Sequence, residues 1–469
     1  MADKELSLMA HLLRRAGFGA SRDELEAYVA KGYEATVEEL INPGDLPMAD
    51  DYILTRYDPQ SGVSPGMNYP GGTVGYMYHL VNTQRPLEEK MTLFWHMFFA
   101  TSMSKVGNYN EMYQQIHLFR HNALGNYHDL LHKVSKNPAM IYWLDQQENH
   151  KYAVNENWGR ELLELFSMGV GNYTETDVRE AARAFTGWTI TYKVPRVPFA
   201  TFLWDFQYKP EDHDDGEKTF LGHTGNFNGN DIIDIVVQKP ATARFISRHL
   251  YSFFVADEPP VPSWSTIPPR DPEAIEFLAD VFTQNHYEMR PLLRALFNSE
   301  FFKTSRFTRV KAPAELVAGI LRLVGGHHFP TPYHKEWAMQ PTYMGQDVLR
   351  VPSVEGWHTG HEWITSGTFM SRVNFLAEKV GDLNLPGVQD IVQRVRDQGT
   401  LQPEAFVDTA LDLMGPLEDM DPEARQELIE KASEEGPLLW DGEENASSSA
   451  KRVTEMLQMI VGTLQYQLA

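Results

Sequence analysis

Residues 145–188 read DQQENHKYAVNENWGRELLELFSMGVGNYTETDVREAARAFTGW, and this run decides the fold. At about 100° per residue, Trp158, Leu162, Leu165 and Phe166 fall on one side of a helix, while Glu156, Asn157, Arg160, Glu161 and Glu164 fall opposite. Such a stripe predicts a helix laid on a core, with its charge turned away. A Gly-Asn-Tyr-Thr turn follows. Thr174, with Asp177 three residues on, is an acidic version of the capping box and opens a second helix through Arg179, Glu180 and Arg183 to Gly187 and Trp188.

Working outward, the chain before this stretch has the helical period almost throughout. Ser7 to Arg15 is a first short helix, and Ser21 with Glu24 forms a capping box for a second that turns Leu25, Tyr28 and Val29 inward. The segment from Asp58 to Gly75, with Pro59, Pro65 and Pro70, is expected to be an irregular loop of the kind that borders clefts. Pro86 starts a helix with Glu88 and Glu89 in its first turn. The KMTLFWHMFFATS run that follows is apolar nearly all round, which predicts burial and makes His96 a hydrogen-bonded core histidine. Further helices are expected at Glu111–Leu124, Tyr127–Ser135 and from Pro138.

After Trp188 the period changes to alternation, in Thr189-Ile-Thr-Tyr-Lys-Val and Thr201-Phe-Leu-Trp-Asp-Phe-Gln-Tyr, with a turn expected at Asp215-Gly216. Helices resume at Asp231 and after Pro240. A stiff proline-rich passage from Glu258 to Pro272 interrupts them, as a spacer or surface insertion. Later helices start at Pro272, Pro291 and Pro313. The long segment from Met344 to Ile364 carries two tryptophans and two histidines and is expected to fold back over something. The fold class that follows is mainly α: a large multi-helix domain over 1–383 with a small antiparallel β-hairpin excursion at about 189–222, then an acidic helical C-terminal subdomain over 384–469 with a flexible joint at Asn445–Ser449.

Composition narrows the function classes. The 469 residues are 42% hydrophobic and 12% aromatic, enough for a large core rather than a disordered chain. A net charge of -23 and a pI near 5.1 argue against nucleic acid and anionic membrane surfaces as partners. The absence of cysteine removes disulfides, thiolate metal sites and cysteine nucleophiles. No run approaches roughly 18 uninterrupted apolar residues, so no membrane span is expected. The N-terminus shows neither an apolar core nor a cleavage site for export, which makes cytoplasmic the expected location.

Several blocks carry a family resemblance: NPAMIYWLD, NENWGRELLELFSMGVGNYTETDVREAARAFTGW, HDDGEKTFLGHTGNFNG, KPATARFISRHLYSFFV and MGQDVLRVPSVEGW. In this order they resemble the bacterial family known as domain of unknown function 1800, from the HLLRRAGFG entry to the QYQLA ending. The resemblance implies a mostly helical protein, often exported in relatives and often encoded near a sulfatase-like protein, which is thereby a candidate partner. It implies no activity and no cofactor. The chain departs from the family in lacking an export signal, in Trp158-Gly159 where an aromatic and an alanine are common, and in His358 and His361 within a loop usually richer in glycine.

The candidate chemistry starts with the charged helices. Glu156, Arg160 and Glu164 have the spacing of an exposed ion-pair ladder. A second reading has Asp145, Asn149, Asn155 and Glu156 meet Asp177 and Arg183 in a polar pocket, where two carboxylates in unlike surroundings act as acid and base. A buried structural network is the third. His213 and Asp214 offer a base with its orienting carboxylate, or metal ligands, and His358 with His361 is a second metal-ligand pair. Trp357 and Trp363 are platforms for a sugar or other flat ligand or anchors of their own loop. A Gly-x-Ser-x-Gly elbow and a dinucleotide fingerprint are both missing. The catalytic set is therefore Glu156, Arg160, Asp177, Arg183 and His213, with Asp145, Asn155, Trp188 and Trp357 binding substrate. The leading expectation is a hydrolase-type enzyme acting on a polar small molecule or glycan, and the rival is a non-catalytic binding or assembly protein with a structural charge network.

Overall fold

The two helices of the opening stretch, Asn157–Glu164 and Glu175–Ala184, pack face to face. The computed structural model describes residues 4–50, 71–194, 202–329, 331, 334–417 and 420–469. Trp158, Leu162 and Phe166 are fully buried, as the apolar stripe requires, and Leu165 is half-buried. Gly159 sits at the crossing: a Cβ there would come within 3.1 Å of the Ala182 amide nitrogen and of the Val178 carbonyl oxygen. The helices approach this closely because that side chain is missing. Thr174 and Asp177 form the expected capping box.

Helices dominate the described residues. The capping box at Ser21 and Glu24 is formed, and Leu25 is buried. The helix Pro86–Phe98 runs through the interior, where Trp95 donates to the Ala123 carbonyl at 3.1 Å. His96 is fully buried and its Nε2 accepts the Leu349 amide at 3.2 Å, which makes it the hydrogen-bonded core histidine expected of an all-apolar helix. The expected loop at 58–75 lies mostly outside the described residues, and its described end belongs to the helix Gly71–Asn82.

The β excursion is two hairpins. Trp188–Lys193 pairs antiparallel with Leu203–Tyr208, Trp188 opposite Tyr208, and Lys218–Phe220 pairs with His223–Gly225. The second hairpin turns at Leu221 and Gly222, both at positive φ, rather than at Asp215-Gly216. Asp214 explains the difference: its carboxylate accepts the Gly216 amide at 2.8 Å, so the Asp-Asp-Gly run closes a local side-chain turn ahead of the strand.

Five helices, from Pro386–Asp397 to Leu464–Gln467, make up the acidic C-terminal part. The buried cluster that holds Leu376 and Val324 continues through Val388, Phe406 and Val453 to Tyr466. The expected joint at Asn445–Ser449 is instead continuous helix, within the first half of Gly442–Val461. Ser449 is buried and donates to the Leu439 carbonyl at 2.7 Å, a tertiary bond that overrides the low helix propensity of the serine run. No helix among the described residues is long and apolar enough to cross a membrane.

Candidate functional site

Arg160 donates to both oxygens of Glu175, at 2.9 and 2.7 Å, and reaches Glu156 at 3.4 Å. Arg183 makes its own set, with Asp214 at 2.7 and 3.2 Å and Glu180 at 2.7 Å. Among the described ion pairs the two arginines share no carboxylate. Asp177 spends its oxygens on the Thr174 amide at 2.9 Å and the Leu221 amide at 2.8 Å, tying the helix start to the second hairpin. His213 is buried, with Nδ1 3.0 Å from the Thr186 carbonyl. Glu156 and Arg160 thus share one network, Arg183 and His213 are joined through Asp214 and Thr186, and Asp177 belongs to the helix cap.

The expected substrate contacts are also local. Asp145, in the left-handed region at φ 55°, pairs with Lys105 at 2.7 Å. Asn155 donates to the Asp145 carbonyl at 3.3 Å and accepts the Asn157 amide at 3.0 Å, capping the helix that follows. Trp188 is buried and donates to Asn228 at 3.1 Å. Trp357 is buried with its ring edge-on to His96 at 5.1 Å, and it also lines a small cavity.

That cavity, of about 90 Å³, adjoins a larger cleft of about 360 Å³. Leu165, Val261, Pro262, Trp264 and Glu355 line both. Three segments distant in sequence meet here: the end of the Asn157–Glu164 helix, the proline-rich passage and the loop after Ser353. The proline-rich passage is therefore a wall rather than a spacer. It turns at Val261–Ser263 and seats Trp264 against the helix Pro240–Phe254. Trp264 is fixed on several sides, donating to the Pro259 carbonyl at 2.7 Å, with the Arg248 guanidinium 4.4 Å from its ring centre and the His249 ring at 4.6 Å. Arg248 is held in turn by buried Glu258 at 2.6 Å. An arginine that donates two N–H groups to one carboxylate oxygen and stacks on an indole gives the wall a defined shape.

Electrostatics mark one edge of the cleft. Glu164 and Glu355 line it, and Tyr173 donates to Glu164 at 3.0 Å. Glu161, one turn before Glu164, is half-buried. Burial first, then the charge of Glu164 against that of Arg160, with Glu355 adding to it, raises its pKa to about 7. His249, whose Nε2 has no hydrogen-bond partner among the described residues, lines the smaller cavity, and burial together with Arg248 lowers its pKa to about 3. Glu164, Glu355 and the fixed Trp264 indole thus line the cleft, His249 lines the smaller cavity, and Glu161 stands one turn behind Glu164. Glu161 and Glu164 were legible as the polar face of their helix. Their meeting with Glu355 had no signal in local pattern.

The proposed metal ligands separate in the structure. Asp214 is committed to Arg183, and His358 reaches Glu362 at 2.5 Å in an exposed pair. Among the described residues the group of three or more possible ligands that converges is His128, His132 and Asp234, whose donor atoms all lie within 4.8 Å of one another. The His-x-x-x-His spacing on a helix was the available signal for it.

A family model described as a protein of unknown function, DUF1800, matches residues 11–468. No curated protein and no solved structure matches the chain. With the match running over nearly the whole length, and a mainly helical fold as the resemblance implied, the chain belongs to the DUF1800 family.

Proposed function

We propose that this chain is a hydrolase-type enzyme whose cleft accepts a polar small molecule or a short glycan, with Glu161 as proton donor. The observation that carries the reading is a cleft of about 360 Å³ walled by Trp264 and lined by Glu164 and Glu355, with half-buried Glu161 one turn before Glu164 on the same helix and within the field of both. Two carboxyl groups in unlike surroundings are what acid–base cleavage of a glycosidic or similar C–O bond needs. A carboxyl with a pKa near 7 still holds a proton at neutral pH and gives it to the departing oxygen. Glu164 or Glu355 takes a proton from the attacking water, which completes the leaving alcohol and the hydrated fragment, and solvent resets the pair. Arg160 and Arg183, with Glu156, Asp177 and His213, enter this reading as the supports that hold the helix carrying Glu161 and Glu164.

The test is turnover of a panel of 4-nitrophenyl glycosides and soluble oligosaccharides. Wild type is expected to cleave a member of it, and Glu161→Gln to lose about 100-fold or more in kcat, on the scale of a general acid, with Tm retained. No cleavage by wild type, together with no oligosaccharide-induced change in Tm or tryptophan fluorescence, sinks the reading.

The rival, a binding or assembly protein, is favoured by one observation. Tyr192, Val194, Phe202 and Leu203 leave apolar side chains exposed at one end of the first hairpin, a surface of the kind protein partners cover. A sulfatase-like protein is the partner that the resemblance suggests. Its retention by wild type and loss with Leu203→Asp in a pull-down would support this reading, and equal retention would remove it.

A further inference from the structure

We propose that His128, His132 and Asp234 bind a single divalent transition-metal ion, at a site separate from the cleft. His128 and His132 lie one turn apart on the helix Tyr127–Ser135, so both imidazoles project from the same face. The helix start is fixed by Asn126, whose side chain accepts the His128 amide at 2.9 Å and the Asp129 amide at 3.4 Å. Asp234 comes from the helix Gly229–Val237, which buries Ile232, Ile233, Val236 and Val237 and so turns Asp234 toward the histidines. Ordinary helix packing therefore sets the three side chains against each other.

The donor atoms form a small triangle. Asp234 Oδ1 is 2.6 Å from His128 Nε2 and 2.9 Å from His132 Nε2, and the two nitrogens are 3.1 Å apart. Ligands bound to one zinc ion at about 2.0–2.2 Å in tetrahedral array are separated by roughly 3.3–3.6 Å, so the edges of the triangle must lengthen by about 0.2–1 Å, within the reach of partly exposed side chains, to become one face of a coordination shell. Two imidazoles and a carboxylate suit zinc, cobalt, nickel or iron(II) better than magnesium or calcium. The His128 side chain is 36% exposed and that of Asp234 48%, so the opposite face of the ion stays open to water. Three protein ligands with open positions is the arrangement of a site that can take a further oxygen ligand, whereas structural zinc sites are closed.

The surroundings fit. The Asp129 carboxylate lies 4.0 Å from His128 Nδ1, on the side of the ring away from Asp234, where carboxylates commonly orient metal-bound imidazoles. Lys136, one turn beyond His132, is held by Asn230 at 2.9 Å, with its ammonium 5.2 Å from the centre of the Trp188 ring. Without an ion two of the contacts are hydrogen bonds to one carboxylate oxygen and the third is between the two ring nitrogens, and that is the alternative to be separated by experiment.

The experiment is calorimetric titration of chelator-stripped protein with Zn²⁺ in a non-coordinating buffer, followed by Co²⁺ substitution and visible spectroscopy. One ion per chain is expected, with His132→Ala and Asp234→Asn each weakening binding by at least about tenfold, since even groups that only orient a ligand act on that scale. Both variants should keep the wild-type Tm in the presence of chelator, because the side chains are partly exposed. His150→Ala, which removes the exposed histidine paired with Asp212 at 2.6 Å, should leave the binding event unchanged. Absence of one-to-one binding in wild type, or binding by the double variant His128→Ala/His132→Ala equal to wild type, overturns the proposal.

Discussion

Glu315 is buried between Lys90 at 2.5 Å and Arg309 at 2.8 Å, whereas Glu161 is half-buried beside Glu164 and within the field of Glu355. Burial works to raise the pKa of both. For Glu315, Arg309 and Lys90 outweigh it and bring the value down to about 2; for Glu161 the neighbouring carboxylates add to burial and carry it to about 7. Glu89 repeats the first pattern, held by Arg120 and beside His79, again at about 2. The difference separates a charge used to join elements from a carboxyl whose ionised form is opposed by its surroundings. Lys90 and Glu315 link helices that start at Pro86 and Pro313, while the charged form of Glu161 is disfavoured where it sits.

The most damaging change should therefore be Glu315→Gln. It leaves Lys90 and Arg309 buried without their counter-charge, and breaking a buried pair from one side costs about 3–5 kcal/mol. Denaturant unfolding should show the midpoint falling by that free energy with its slope retained. A loss under 1 kcal/mol would mean that the two cations reach water, and the contrast with Glu161 would collapse.

A pH series tests the other half of the comparison. Folding lowers Glu89 and Glu315 from 4.5 to about 2, so their contribution is complete above pH 4.5 and is lost as the pH falls toward 2. Folding raises Glu161 from 4.5 to about 7, so its contribution is complete below pH 4.5 and is lost as the pH rises to 7. Wild type should lose about 1–2 kcal/mol across that upper window, after discounting for solvent screening at a partly exposed carboxyl. Glu161→Gln should flatten the upper limb and leave the acid limb in place. An unchanged upper limb would assign the loss to another group and remove the basis for Glu161 as an acid.

The features legible in the sequence are those set by neighbours along the chain. The stripe through Trp158, Leu162 and Phe166, the caps at Ser21 and Thr174, and the all-apolar surroundings of His96 all follow from spacing within a turn or two of helix. The Asn445–Ser449 segment misled because one buried contact, Ser449 to Leu439, outweighs local propensity. The cleft was illegible for a related reason. Its walls come from segments far apart in sequence, and the property that marks Glu161 arises partly from Glu355, which no periodicity connects to it. His128 and His132 show the intermediate case: their spacing was visible, but its meaning depends on Asp234 from another helix.

The smallest expected effects belong to the arginines that gave the opening stretch its charge. Arg183 makes a bidentate pair with Asp214 and a second bond to Glu180, all partly shielded, and Arg183→Ala should cost about 1–2 kcal/mol, the scale of charge-assisted hydrogen bonds with some exposure. Arg160 pairs with exposed Glu175, and Arg160→Ala should leave the melting temperature within error of wild type. Arg183→Ala should leave the pH-dependent upper limb unchanged, and Arg160→Ala should leave the limb in place, since it rests on burial and on Glu164 first. Arg160 nonetheless opposes the rise at Glu161, so its removal should move the limb's midpoint slightly upward in pH, never downward. A downward movement, or a loss of turnover in Arg160→Ala and Arg183→Ala as large as in Glu161→Gln, would return the chemistry from the cleft to the charged helices.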